Sequence, residues 1–283
     1  MSYTVPVNWN PSIPRTSRPI IPVQMKKPNG TWSSSISFNF DTGASNPTDV
    51  PLDIVDDFGG PVATDARVSQ PNDIRIPGLG AGSGTVMSIP VMVQDQDHYD
   101  LFADEPPPIR YPLMRVHDLM PYLSIVFEKL QTTFRPVSLG NPTEISTPGT
   151  IHMPTASQRT GAPTSSWYWT QGQAWGPSCR MITDWLNINT GDYRFIVKRS
   201  LADSVRLPLT PDPTDSDEYL ANGNLIWSEA TPPLKLTDIP ITVRNDDASF
   251  ARGGVPRQLL GGPNFLDSYK IVIYGQNMAF VPV

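Results

Sequence analysis

The sequence predicts a mostly β, loop-rich protein, and three observations carry that expectation. Proline supplies 32 of the 283 residues, about twice its usual share of ~5%, and an interior proline removes a helix donor and clashes with the preceding turn. Short apolar runs of strand length recur between Gly, Pro, Asn and Ser, as in IIPVQM, SSSISFNF and TVMSIPVMV. Seven Trp, nine Tyr and ten Phe are too many aromatics for a disordered chain, and the length suffices to bury one or two cores.

Taken in order, residues 1–17 read as an extended arm rich in Pro, Ser and Thr. IIPVQM is a strand, the Asn29-Gly30 pair a turn, and SSSISFNF a second strand that runs straight into Asp41-Thr42-Gly43-Ala44-Ser45. VPLDIVDDFGG is a loop or a short helical turn, after which NDIRIPGLGAGSGTVMSIPVMV reads as strand, glycine-rich tip and strand. The proline-rich DEPPPIRYP marks a boundary. Beyond it, RVHDLMPYLSIVFEKLQTTF predicts a helix over about Pro121 to Thr133, with proline tolerated in the first turn. Pro136 to Ser166 reads as loop, YRFIVKRSL and PLKLTDIPITV as strands, and the last segment as strand, short helix and two strands joined through Tyr274-Gly275-Gln276-Asn277. No repeat of solenoid or propeller period is visible.

Composition narrows the chemistry. A formal charge of −6 and no dense Lys/Arg run argue against a nucleic-acid partner, which needs a basic face. The lone Cys179 excludes an internal disulfide and a Cys-based zinc site, and His98, His117 and His152 stand far apart in sequence, so no metal or organic cofactor is expected. No apolar stretch reaches membrane-spanning length and the first residues show no secretory pattern, so a cytoplasmic, reducing setting with no membrane partner is the expectation. GLGAGSG fails GxGxxG because Ser83 and Thr85 occupy the third-glycine positions. His117-Asp118 has no GxSxG elbow to serve. Cys179, the Trp167–Trp185 cluster and the acidic run Asp212–Glu218 read as spectator, core and solvated loop.

What remains is FNFDTGAS. A strand ending in Asp-Thr-Gly sets a carboxylate at a tight turn, with a hydroxyl to brace it and a glycine that permits close approach. Together with the glycine-rich hairpin around Gly78–Gly84 and the later Leu259-Leu260-Gly261 followed by NFLDSYKIVIY and AFVPV, this order of motifs resembles the retropepsin-like aspartic proteases. The resemblance implies a mostly β fold with a retropepsin-like β-barrel core over 18–103 and 250–283. It leaves 104–249 as a large loop-rich insertion with one short helix, since far more chain separates Asp41 from Gly261 than one such subunit needs. It implies Asp41, Thr42 and Gly43 as the catalytic turn, with Ala44, Gly80, Ala81 and Gly82 against the substrate under a flap near Ile76–Val86.

The implied activity is that of an aspartic endopeptidase acting on an extended polypeptide, with apolar side chains flanking the cleaved bond. Two carboxylates about 3 Å apart cannot both ionise, so they share a proton: one activates water, the other donates to the carbonyl oxygen. A single DTG obliges a homodimer mate to supply the second aspartate. The alternatives are a non-catalytic binding or structural module of the same fold, an unrelated Pro-rich β scaffold protein in which DTGAS is coincidence, and a two-lobed chain in which Asn189-Thr190-Gly191 replaces the second DTG. Asparagine cannot share a proton, so that last form would be inactive or impaired.

Overall fold

The computed structural model describes residues 2–6, 20–42, 48–51, 70–79, 85–94, 112–153, 169–175, 181–189, 195–213, 215–227, 230–245, 258–261, 265–275 and 277–283. Strands dominate them, as the composition predicts. After β1 (Tyr3–Pro6) the chain lays down β2 (Ile20–Met25), β3 (Ile36–Asp41), β4 (Thr48–Pro51), β5 (Gln70–Arg75), β6 (Met87–Gln94) and β7 (Leu113–Arg115), which close into a barrel in the order β2-β3-β7-β4-β6-β5. β2 shows the period-2 pattern behind this: Ile21, Val23 and Met25 are buried while their neighbours are half exposed. The Asn29-Gly30 turn forms as read. Asn29 Oδ1 accepts from the Thr31 amide and hydroxyl at 3.0 and 2.7 Å, and Gly30 takes φ +84°.

The short helix α1 (Val116–Leu119) follows β7. The helix expected over Pro121 to Thr133 is replaced by β8 (Leu123–Phe127), a turn closed by the Glu128 amide on the Gln131 carbonyl at 2.9 Å, and β9 (Gln131–Pro136). The reason lies outside the segment. LSIVF is buried at every position, and such a run has no helical or strand period of its own, so its partner decides.

β10 (Ile151–Met153) then leads into β11 (Trp169–Trp175), β12 (Met181–Asn189), β13 (Phe195–Lys198), α2 (Arg199–Ser204), β14 (Thr210–Pro211), β15 (Glu218–Trp227), β16 (Leu234–Arg244) and β17 (Gln258–Gly261). Their order is β11-β12-β17-β13-β16-β15, closed by a β11–β15 pairing, with β14 added on β15. Strand for strand this repeats the first barrel, in chain order and in pairing sense. β3 and β7 are parallel, as are β12 and β17; β4 and β6 are parallel, as are β13 and β16; the remaining ring pairs are antiparallel in both. Residues 104–249 thus contribute β7 to the first barrel and most of the second.

The two barrels share one six-stranded sheet, β1-β9-β8-β18-β19-β10, completed by β18 (Tyr269–Tyr274) and β19 (Asn277–Pro282). Its centre is the antiparallel β8–β18 pair, with Ile125 opposite Ile273 and Val126 opposite Val272. Residues 265–268, expected as a short helix, form a turn, and the Tyr274–Asn277 hairpin link is as read. Phe40 against Phe134 (5.6 Å between ring centres) ties the first barrel to this sheet, and Phe265, packed on both Phe280 (4.6 Å) and Phe195 of β13 (5.2 Å), ties the second.

Both long hairpins come down on the edges of that sheet. Past β15, Thr231 exchanges two backbone hydrogen bonds with His152 of β10, at 2.9 and 3.0 Å. Past β5, Gly78 (φ +86°) lies under the ring of Tyr3 in β1: a Cβ there would stand 2.5 Å from Tyr3 Cε2. Gly78→Ala is therefore expected to cost about 1–3 kcal/mol in a denaturant titration, from overpacking and the left-handed backbone. Tyr3→Ala in the same chain should recover part of the loss, a coupling that a double-mutant cycle reads directly.

Candidate functional site

The site is assembled by a threading of strands. β3 brings the chain to Asp41, and β4 leaves from Thr48. Between them runs β7, parallel to β3 (Asn39 beside Leu113, Phe40 beside Met114, Asp41 beside Arg115) and antiparallel to β4 at Asp49. Thr42 is buried at the end of β3. Gly43, Ala44, Gly80, Ala81 and Gly82 lie outside the described residues, as does the middle of the hairpin tip; the flanks at Ile76 to Leu79 and Thr85-Val86 are described, with the Thr85 amide on the Leu79 carbonyl at 2.9 Å.

The second barrel contains the same threading. β12 ends on Asn189, β17 runs parallel beside it (Asn187 beside Leu259, Ile188 beside Leu260, Asn189 beside Gly261), and β13 flanks β17 on the other side. The segments Phe38-Asn39-Phe40-Asp41-Thr42-Gly43 and Leu186-Asn187-Ile188-Asn189-Thr190-Gly191 thus correspond position by position. Asp41 and Asn189 hold equivalent places in one chain, and so do Arg115 and Gly261. The second correspondence was not legible in the sequence, because LMR lacks the glycine that marks LLG; the repeated Asn and Thr-Gly were the available signal for the first.

A buried polar cluster pins the start of β4 at Thr48. Asp118 of α1 accepts from the Thr48 amide (3.1 Å) and hydroxyl (3.0 Å) through Oδ2, while its Oδ1 pairs with Arg115 Nε at 3.1 Å. The Arg115 amide in turn donates to Thr48 Oγ1 at 3.2 Å, and the Leu113 amide to Asp49 Oδ1 at 3.3 Å. His117-Asp118, set aside as a triad fragment, therefore has a structural place. Burial pushes the Asp118 carboxyl above the ordinary carboxylate range, against the opposing pull of Arg115 and the Thr48 bonds. Burial, with the Arg115 charge second, lowers the half-buried His117 from 6.5 to about 4. Among the described residues no group of three His, Cys, Asp or Glu could hold a metal ion, and no helix is long and apolar enough to cross a membrane.

No protein-family model and no curated protein matches the sequence. A solved structure does match the fold: the aspartic proteinase from Irpex lacteus aligns over 100% of this chain and 98% of its own, with a TM-score of 0.52 and 13% identity. At that identity the likeness is one of architecture. The chain has the mostly β fold of an aspartic proteinase, and the match runs through both barrels of a single chain.

Two outcomes follow from this cluster. Asp118→Ala removes the buried carboxylate that Arg115 and the Thr48 donors share, and should cost about 3 kcal/mol in denaturant unfolding. His117 binds fewer protons folded than unfolded between pH 6.5 and about 4, so the stability held by its neutral ring is present above pH 6.5 and lost as the pH falls toward 4. Asp118 acts with the opposite sign: its raised folded value favours the protonated carboxyl, so its contribution is lost as pH rises through that value. In His117→Gln the drop in unfolding midpoint between pH 6.5 and 4 should shrink.

Proposed function

We propose that this protein holds an extended polypeptide between its two barrels without hydrolysing it, because Asn189 stands where a second carboxylate would complete the catalytic pair. The observation that carries the reading is the repeated register: the pairing that ends β3 on Asp41 beside β7 ends β12 on Asn189 beside β17. A carboxamide neither takes up nor releases a proton near neutral pH, so Asp41 with Asn189 has no shared proton, and the relay of base and acid is missing one member. Thr42 and Gly43 belong to the same turn, and Ala44, Gly80, Ala81 and Gly82 are the proposed ligand contacts. The second half-site comes from the same chain, so the reading needs no homodimer mate.

The fold match to an aspartic proteinase supports the choice of an extended polypeptide as ligand, since that architecture offers strand-like partners on both sides of a bound chain. The endopeptidase reading, with Asp41 from two copies, makes a different prediction for the unmodified protein. With a fluorogenic extended peptide, the natural chain should bind without cleavage. Asn189→Asp should raise hydrolysis by about 10²- to 10⁴-fold, the range a positioned acid or base contributes, with activity confined to acid pH. Adding Asp41→Asn to that variant should abolish the gain. Cleavage by the natural chain that Asp41→Asn removes would overturn the reading.

A further inference from the structure

The chain holds two Asn-Gly pairs, 29–30 and 222–223, and the fold sets them in opposite surroundings. An Asn-Gly pair can close on itself, because glycine has no side chain to keep its amide nitrogen from the carboxamide carbon before it. Asn29 and Gly30 form the exposed tip of the β2–β3 hairpin, and a Cβ on Gly30 would meet nothing within 4 Å. Asn222 and Gly223 lie inside β15, paired with Pro240 and Ile239 of β16. Gly223 is buried against Ile241, whose Cδ1 would stand 2.6 Å from a Cβ there.

The contacts on the two carboxamides differ in sign as well. Asn29 Oδ1 accepts from the Thr31 amide at 3.0 Å and from the Thr31 hydroxyl at 2.7 Å. Both donors aim at the oxygen where negative charge collects when the carboxamide carbon is attacked, an arrangement that stabilises a tetrahedral oxyanion. Asn222 makes its bond from Nδ2, to the Asp238 carboxylate at 3.1 Å. A carboxylate beside the carboxamide opposes that charge, and the ladder holds Gly223 in an extended strand.

We propose that Asn29 is a self-modification site, which the hairpin tip converts to aspartate and isoaspartate without an enzyme, while Asn222 is protected. This is independent of what the two barrels hold between them. The Gly30 amide gives its proton to hydroxide and leaves its bond to the Lys27 carbonyl (2.9 Å). Its nitrogen then bonds Asn29 Cγ, and the carbonyl electron pair shifts onto Oδ1 between the Thr31 donors. Collapse of that oxyanion breaks the Cγ–Nδ2 bond, and Nδ2 departs as ammonia with a proton from water. Water then opens the cyclic imide, at Cγ to leave aspartate or at the backbone carbonyl to leave isoaspartate; nothing is oxidised or reduced. Aspartate keeps acceptors for Thr31. Isoaspartate adds a methylene to the backbone of the turn, which puts the Lys27 amide out of register with the Thr31 carbonyl it now meets at 2.7 Å. The hairpin that carries the chain to Asp41 then loosens at its far end.

The test holds the intact chain in mildly alkaline buffer at physiological temperature and follows both pairs by peptide mapping with mass spectrometry. Asn29 should convert, with isoaspartate among its products, while Asn222 stays a carboxamide over the same period. Thr31→Val removes the hydroxyl at nearly constant shape and should slow conversion at Asn29 by about tenfold, the weight of one well-made hydrogen bond. Thr31→Ser should keep the natural rate. No conversion at Asn29, equal or faster conversion at Asn222, or a Thr31→Val chain as fast as the natural one would end the proposal. In denaturant these contacts are gone and the two pairs should react alike. A preference for Asn29 that survives there would assign the difference to the sequence rather than the fold, and the proposal would fail.

Discussion

The structure depends on one constraint, a strand that must pass between two others that are near neighbours in sequence. β7 lies between β3 and β4, which follow one another closely in the chain. Because β7 runs parallel to β3, no hairpin can connect them, and a parallel partner is reached only after a long excursion. The β5–β6 hairpin is that excursion, and its pairing back onto β2 and β4 closes the barrel. The end of β3 at Asp41 is consequently held by strands that arrive from distant parts of the sequence, which gives the backbone there a defined position.

The same constraint is met a second time by β17 between β12 and β13, and the two solutions are joined through the β8–β18 pair. Val126, Val272, Ala279 and Val281 pack on one face of that sheet while Ile125, Ile271, Ile273 and Phe280 join the main core. Strands buried on both faces lose the alternation that marks a half-exposed strand. That is why LSIVF reads ambiguously in isolation and YKIVIY does so less, its flanking turn being legible at Tyr274-Gly275.

The two halves agree in topology and differ in charge. Where the second threaded strand has Gly261, the first has Arg115, a cation largely removed from water and answered by Asp118. Burying such a pair is weakly favourable at best against an apolar alternative. Its use here is geometric: Asp118 also gathers the amide and hydroxyl of Thr48, the first residue of β4.

Much was legible along the chain because it depends on near neighbours. The mostly β class follows from proline content and strand-length apolar runs, the Asn29-Gly30 turn from an asparagine that caps its own backbone, and the strand ending at Asp41 from the apolar run that precedes it. The tertiary structure alone decided that Pro121 to Thr133 forms two strands, that Arg115 takes the register place of a glycine, and that Asn189 holds in the second barrel the register place of Asp41 in the first. Each of these rests on pairing between segments far apart in sequence. Local propensity cannot choose such partners; the burial of both strands on one register can.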